Sequence, residues 1–184
     1  MSYYPGPCWR KHPVWRLILL FVEITVHRRG PDQLPSSQFF FLLVLGVSVA
    51  VDLLVLLVDG LNVRGVFVTL LTTALDLAFV WAVLRTFDRV RRFKQTMSAL
   101  LGVNALLSLL IVPLALWSQS LDVAEGEVAL PWLLLLLLAI WSIDIAGFVL
   151  ARALDRPYAL GVAIMLGYVL LSVSLQQSLL PVAS

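Results

Sequence analysis

Apolar residues run along this chain in five long blocks separated by short polar breaks. The blocks cover about 39–58, 66–84, 97–117, 129–150 and 158–180, the fourth with an unbroken leucine run from Leu133 to Leu138. Each holds roughly 20 mostly apolar residues, enough for a helix to cross about 30 Å of hydrocarbon. A helix satisfies its own backbone N–H and C=O groups inside lipid. The strands of a membrane barrel need alternation instead, and the blocks show none. The pattern predicts an all-α fold, a polytopic integral membrane bundle of five transmembrane helices preceded by an amphipathic interfacial helix.

That first helix is read over about 13–28. The segment is too short to span, and Arg16, Glu23 and His27 recur at helical spacing, forming one narrow polar face. Val14, Trp15, Leu17, Ile18, Phe21, Val22 and Ile24 make up the rest. Such a helix lies in the headgroup region with its charged stripe towards the lipid heads; a helix half-buried against the bundle is the competing reading. Gly30-Pro31 ends it, and Pro31 to Pro35 makes a stiff turn into the first span. Residues 1–36 form a cytoplasmic N-terminal segment and 37–184 the five-span domain. No small-residue cleavage site follows the first apolar stretch, so no cleaved signal peptide is expected.

Composition agrees with the pattern. The chain of 184 residues is 61% hydrophobic and 13% charged, with a mean hydropathy of +0.98. Soluble domains are nearer half apolar and a quarter charged. This excludes an ordinary soluble domain, a disordered chain and a nucleic-acid binder. The single cysteine, Cys8, forbids an intramolecular disulfide; it reads as an incidental thiol, with lipidation as the sharper alternative.

Charge adds sidedness. Of 13 basic residues, 12 fall in the N-terminal segment, the loop between spans two and three, or the loop between spans four and five. Only Arg64 falls elsewhere, and the loop between spans three and four carries Asp122, Glu125 and Glu127. Basic loops stay in the cytoplasm. The N-terminus is therefore expected inside and the C-terminus outside, as five spans require. Trp81, Trp117, Trp132 and Tyr158 fall at span ends, where amphipathic rings sit at headgroup level. Trp141 lies deeper and reads as a packing residue.

Three acids lie within spans: Asp52, Asp76 and Asp144. A charge at the centre of a lone helix costs about 3 kcal/mol on insertion scales, so such residues face a bundle interior or a wet cavity. Counted at 1.5 Å per residue, Asp76 falls near the midplane, with Asn104 and Asp144 towards the cytoplasm and Asp52 about 10 Å below the outer face. Asp76, Asn104 and Asp144 are expected to meet, with Asp52 above them. They would serve as interhelical glue, at about 0.6 kcal/mol per hydrogen bond, or as a proton or cation relay. Small residues four apart (Gly46 and Ala50, Gly147 and Ala151, Ala163 and Gly167) argue for close helix packing within or between chains. The polar run Arg85, Arg89, Arg91, Arg92 and Lys94 sets topology and contacts anionic lipid headgroups, or docks a partner. No metal, nucleotide or cofactor motif is present, and no nucleophile–base pair.

The layout resembles Yip1-like bacterial membrane proteins. The matching pieces are Arg29-Gly30-Pro31-Asp32-Gln33-Leu34-Pro35, the span count, and the last hairpin from Trp141 through Arg156-Pro157-Tyr158 to Gly167-Tyr168. The Asp-Leu-Tyr-Gly-Pro signature of eukaryotic members is reduced here to Gly-Pro. The resemblance implies a non-enzymatic protein of the inner (cytoplasmic) membrane, an adaptor or assembly factor, with no catalytic residue. The function expected is a scaffold, adaptor or accessory subunit working through helix contacts with a membrane-protein partner or a second copy. The alternative is a small transporter or proton or cation channel using the intramembrane aspartates.

Overall fold

The computed structural model describes residues 13–58, 60, 62–120 and 129–179. Cys8, Arg10, Lys11 and the acidic loop with Asp122, Glu125 and Glu127 lie outside the described residues, as do the side chains of Arg16, Gln176 and Gln177. Six α-helices follow in order: α1 Pro13–Thr25, α2 Gln38–Val58, α3 Val63–Thr86, α4 Phe93–Ser120, α5 Ala129–Leu154 and α6 Tyr158–Leu179. Short 3₁₀ turns, Pro31–Gln33 and Val90–Arg92, precede α2 and α4. No strand occurs among the described residues. Helices α2 to α6 are each long and apolar enough to cross a membrane.

Helices α2 to α5 outrun their apolar blocks. The third block of 97–117 becomes α4, whose 28 residues extend about 42 Å. The extra turns carry Lys94, Gln95 and Thr96 at one end, where backbone hydrogen bonding continues past the hydrocarbon. Pro113 does not end this helix. It removes one backbone donor near the far end, and α4 runs on to Ser120.

At the basic end, α1, α3 and α5 stop by the same device. His27, Asp88 and Asp155 each take a left-handed backbone, with φ of 60°, 55° and 52°. The following amide reaches back across the turn in each case: Arg28 N to Glu23 O at 2.9 Å, Arg89 N to Leu84 O at 2.7 Å and Arg156 N to Ala151 O at 3.0 Å. This is the Schellman closure, which usually places glycine at the left-handed position.

Packing is uneven along the bundle. Most of the fully buried side chains, Ile24, Leu34, Leu84, Met97, Val149, Leu150 and Leu154 among them, gather towards the basic end. Helix α4 is central there and touches α1, α2, α3 and α5. Its main partner is α2, two elements back and parallel to it, and α5 pairs most closely with α6. Helix α3 is held more loosely. Close approach between α5 and α6 rests on Gly147 and Gly161. A Cβ added to Gly147 would lie 2.9 Å from Val162 Cα.

The first helix is docked on the bundle. Phe21 lays its ring on Gly102 of α4, and Ile24 is fully buried. Ile18, Val22 and Val26 remain exposed. The polar stripe expected along α1 is corrected at His27. The helix ends at Thr25, and the left-handed turn swings His27 off that face, edge-on to Phe148 with ring centroids 4.4 Å apart. Glu23 stays outside and pairs with Arg29 at 2.7 Å.

Candidate functional site

Three polar clusters stand out, and they regroup the residues singled out from sequence. The first lies at mid-depth. Asp52 of α2 accepts hydrogen bonds from Ser108 Oγ at 3.2 Å and Asn104 Nδ2 at 3.4 Å, both on α4. Asp76 of α3 accepts from the Tyr168 hydroxyl of α6, and Tyr168 stacks on Phe79 with ring centroids 4.1 Å apart. Asp52, Asn104, Asp76, Phe79 and Tyr168 face one cavity of about 170 Å³. Counted from the basic ends of their helices, Asp76 and Tyr168 lie about 15 Å in and Asp52 about 21 Å in.

Two sequence expectations are corrected here. Asp52 does not stand above the cluster; it belongs to it. The parallel pairing of α2 with α4 brings Asp52 level with Asn104 and Ser108. Asp144 does not belong to it. On α5 it is Ser142, Ile145 and Ala146 that line the cavity. Asp144 points away from them, accepts a hydrogen bond from the Tyr158 hydroxyl, and lies 3.4 Å from His27 Nε2. That last contact has ion-pair distance when His27 is protonated but not hydrogen-bond geometry, and the nitrogen is otherwise unpartnered. The three acids therefore do not line up in one file.

The third cluster fastens the basic end. Asp155, in the turn between α5 and α6, pairs with Arg89 Nη1 at 2.8 Å and Arg92 Nη1 at 3.0 Å. The same Arg92 nitrogen donates to the carbonyls of Arg152 at 3.3 Å and Ala153 at 3.2 Å, satisfying the end of α5. The hydrogen bond from Arg92, with the charges of Arg92 and Arg89, holds the Asp155 carboxyl below the usual carboxylate range. Gln95 Nε2 donates to the Leu34 carbonyl at 2.8 Å, tying α4 to the turn before α2. Of the five cations expected to meet lipid or a partner, Arg89 and Arg92 are thus engaged within the chain. Arg85 lies over the Trp81 ring at 5.3 Å, and Arg91 and Lys94 are exposed.

Trp81, Trp117, Trp132 and Tyr158 are exposed at helix ends, as expected of interfacial rings. Trp141 is not a core residue: with Trp117, Pro113 and Leu137 it lines an apolar groove between α4 and α5. Sequence reading overlooked Ser108, Ser142 and the role of Tyr168. Ser108 follows Asn104 by four residues and shares its helix face, a signal that was available. No group of three or more acids, histidines or cysteines that could hold a metal occurs among the described residues.

Comparison with known proteins gives no match to a family model, a curated protein or a solved structure.

Proposed function

We propose that this integral membrane protein is a non-enzymatic scaffold, adaptor or accessory subunit of a bacterial inner-membrane complex, with its N-terminus in the cytoplasm. One observation carries the reading. The glycines inside helices divide in two. Gly65, Gly102, Gly147 and Gly161 abut atoms of this chain, whereas Gly46 and Gly167 have nothing within 4 Å of an added Cβ. Gly46 with Ala50, and Ala163 with Gly167, form exposed small-residue faces. Small residues let helix backbones approach closely in lipid, where packing rather than hydrophobicity drives association.

The acids fit a supporting part. Each ties different helices together: Asp52 joins α2 to α4, Asp76 joins α3 to α6, and Asp144 joins α5 to α6. The exposed cations Arg91 and Lys94 would meet anionic headgroups or a partner's cytoplasmic face. The resemblance to Yip1-like proteins points the same way.

The test is purification of the full chain from its native membrane in mild detergent, beside Gly46→Leu and Gly167→Leu. A stoichiometric membrane-protein partner, or a second copy, is expected with the wild type and is lost in one variant or both, while the bundle keeps its helicity. A lone monomer that carries protons or cations across proteoliposomes, sensitive to Asp76→Asn, would overturn the reading.

A further inference from the structure

Each of the five spanning helices contributes a polar side chain to the mid-depth cavity: Asp52, Asp76, Asn104, Ser142 and Tyr168. Around them the wall is mainly apolar and aromatic, with the Phe79–Tyr168 stack on one side. No Lys, Arg or His lines the space. Both carboxyl groups are held through Oδ1 alone, and Oδ2 of each has no hydrogen-bond partner among the described residues.

Two carboxyl groups with free oxygens around one void, deep in a bilayer, call for compensating positive charge. The space itself narrows the identity of that charge. A proton needs no volume, yet this cavity of about 170 Å³ exceeds the roughly 150 Å³ that accommodates benzene in an engineered protein cavity. A bare metal ion favours a shell of oxygen ligands, whereas most of this wall is hydrocarbon. An aromatic stack beside acids suits a cation that carries apolar surface.

We propose that the cavity binds a small amphipathic ammonium cation, about the size of one aromatic ring. Its charged head is held between Asp52 and Asp76, and its apolar body lies against Phe79, Tyr168 and the surrounding aliphatic side chains. Tyr168 and Asn104 donate hydrogen bonds that fix the two carboxyl groups in place.

The test uses the purified full chain in detergent, titrated calorimetrically with benzylammonium and, separately, with benzyl alcohol as its neutral counterpart. Benzylammonium is expected to saturate one site, and benzyl alcohol only to partition into micelles. Asp52→Asn and Asp76→Asn keep an oxygen to accept the existing hydrogen bonds but remove the charge. Each is expected to weaken benzylammonium about tenfold or more, the loss of one charge-assisted contact. Ala146→Phe removes no hydrogen bond, fills the cavity and is expected to abolish saturation, which keeps the test valid should an aspartate variant misfold. Equal binding of the alcohol, or saturation unaffected by Ala146→Phe, would overturn the proposal. So would displacement by sodium at matched ionic strength, which would mark an inorganic cation site.

Discussion

Gly161 is the point at which α5 and α6 come closest, and a single methyl there is a sharp probe of the packing. A Cβ on Gly161 would collide with the Gly147 carbonyl oxygen and lie 2.8 Å from Ala151 Cβ and 2.9 Å from Ala151 N. Two of those three atoms are backbone, so no flexible side chain can yield. Ordinary contact begins at 3.4 Å, so α6 must retreat by at least about 0.6 Å to clear Ala151 and farther to clear the Gly147 carbonyl, a gap that already forfeits a quarter or more of the dispersion energy across the seam. Overpacking of this kind costs about 1–3 kcal/mol. Replacing helical glycine by alanine returns about 1 kcal/mol of propensity. Gly167→Ala is the control: it receives the same propensity gain with nothing within 4 Å. The propensity contribution then cancels between the two variants, and Gly161→Ala should be the less stable by about 1–3 kcal/mol. Unfolding by SDS titration in mixed micelles reads this difference. Equal stability of the two variants would refute the close α5–α6 seam.

Gly102→Leu should expel the Phe21 ring and release α1; faster tryptic cleavage at Arg28 and Arg29, with the rest of the chain still resistant, is the expected result. Asp88→Gly should stabilise the protein by about 0.5–1 kcal/mol, because glycine takes the left-handed turn without the Cβ penalty and gives back part of that gain in unfolded-chain entropy; the same SDS titration measures it. Asp155 has its carboxyl pKa lowered in the folded state, so its contribution is present above the unfolded value near 3.8 and fades as pH falls through the lower folded value. The stability gap between wild type and Asp155→Asn should therefore hold constant from pH 7 to about 5 and close as pH falls below the unfolded value of 3.8 and through the lower folded one.

Position along each helix was legible in the chain, and position around it was not. The five spans, their depth and the interfacial aromatics follow from run length and from 1.5 Å of rise per residue, although the helices carry on past the apolar runs. Which residues face inward requires a contrast between core and surroundings. In lipid that contrast vanishes, since the tails are as apolar as leucine. Leu133, Leu136 and Leu137 are exposed on α5, whereas Val149 and Leu150 on the same helix are fully buried, and no property of these side chains separates the two groups. Depth alone therefore groups Asp144 with Asp76, whereas its face of α5 turns it to Tyr158. Residue count sets Asp52 farther from the basic end than Asp76; what the count does not show is that α2 lies chiefly along α4, whose Asn104 and Ser108 draw Asp52 into the cluster. His27 escaped its predicted stripe because a left-handed turn at a non-glycine residue leaves little trace in composition.

The gradient of packing along the bundle makes the protein unequal in its two leaflets. Near the basic end the helices meet around a closed core of Ile24, Leu84, Met97 and Leu150. Towards the other end α4 and α5 part around the groove edged by Trp117 and Trp141, and acyl chains must fill what side chains do not. Lateral pressure in the monolayer around this groove works directly on the spacing of α4 and α5, while around the basic end the same pressure meets close packing. Thinning, bending or a change in chain saturation on that one side therefore acts on the bundle as a mechanical load.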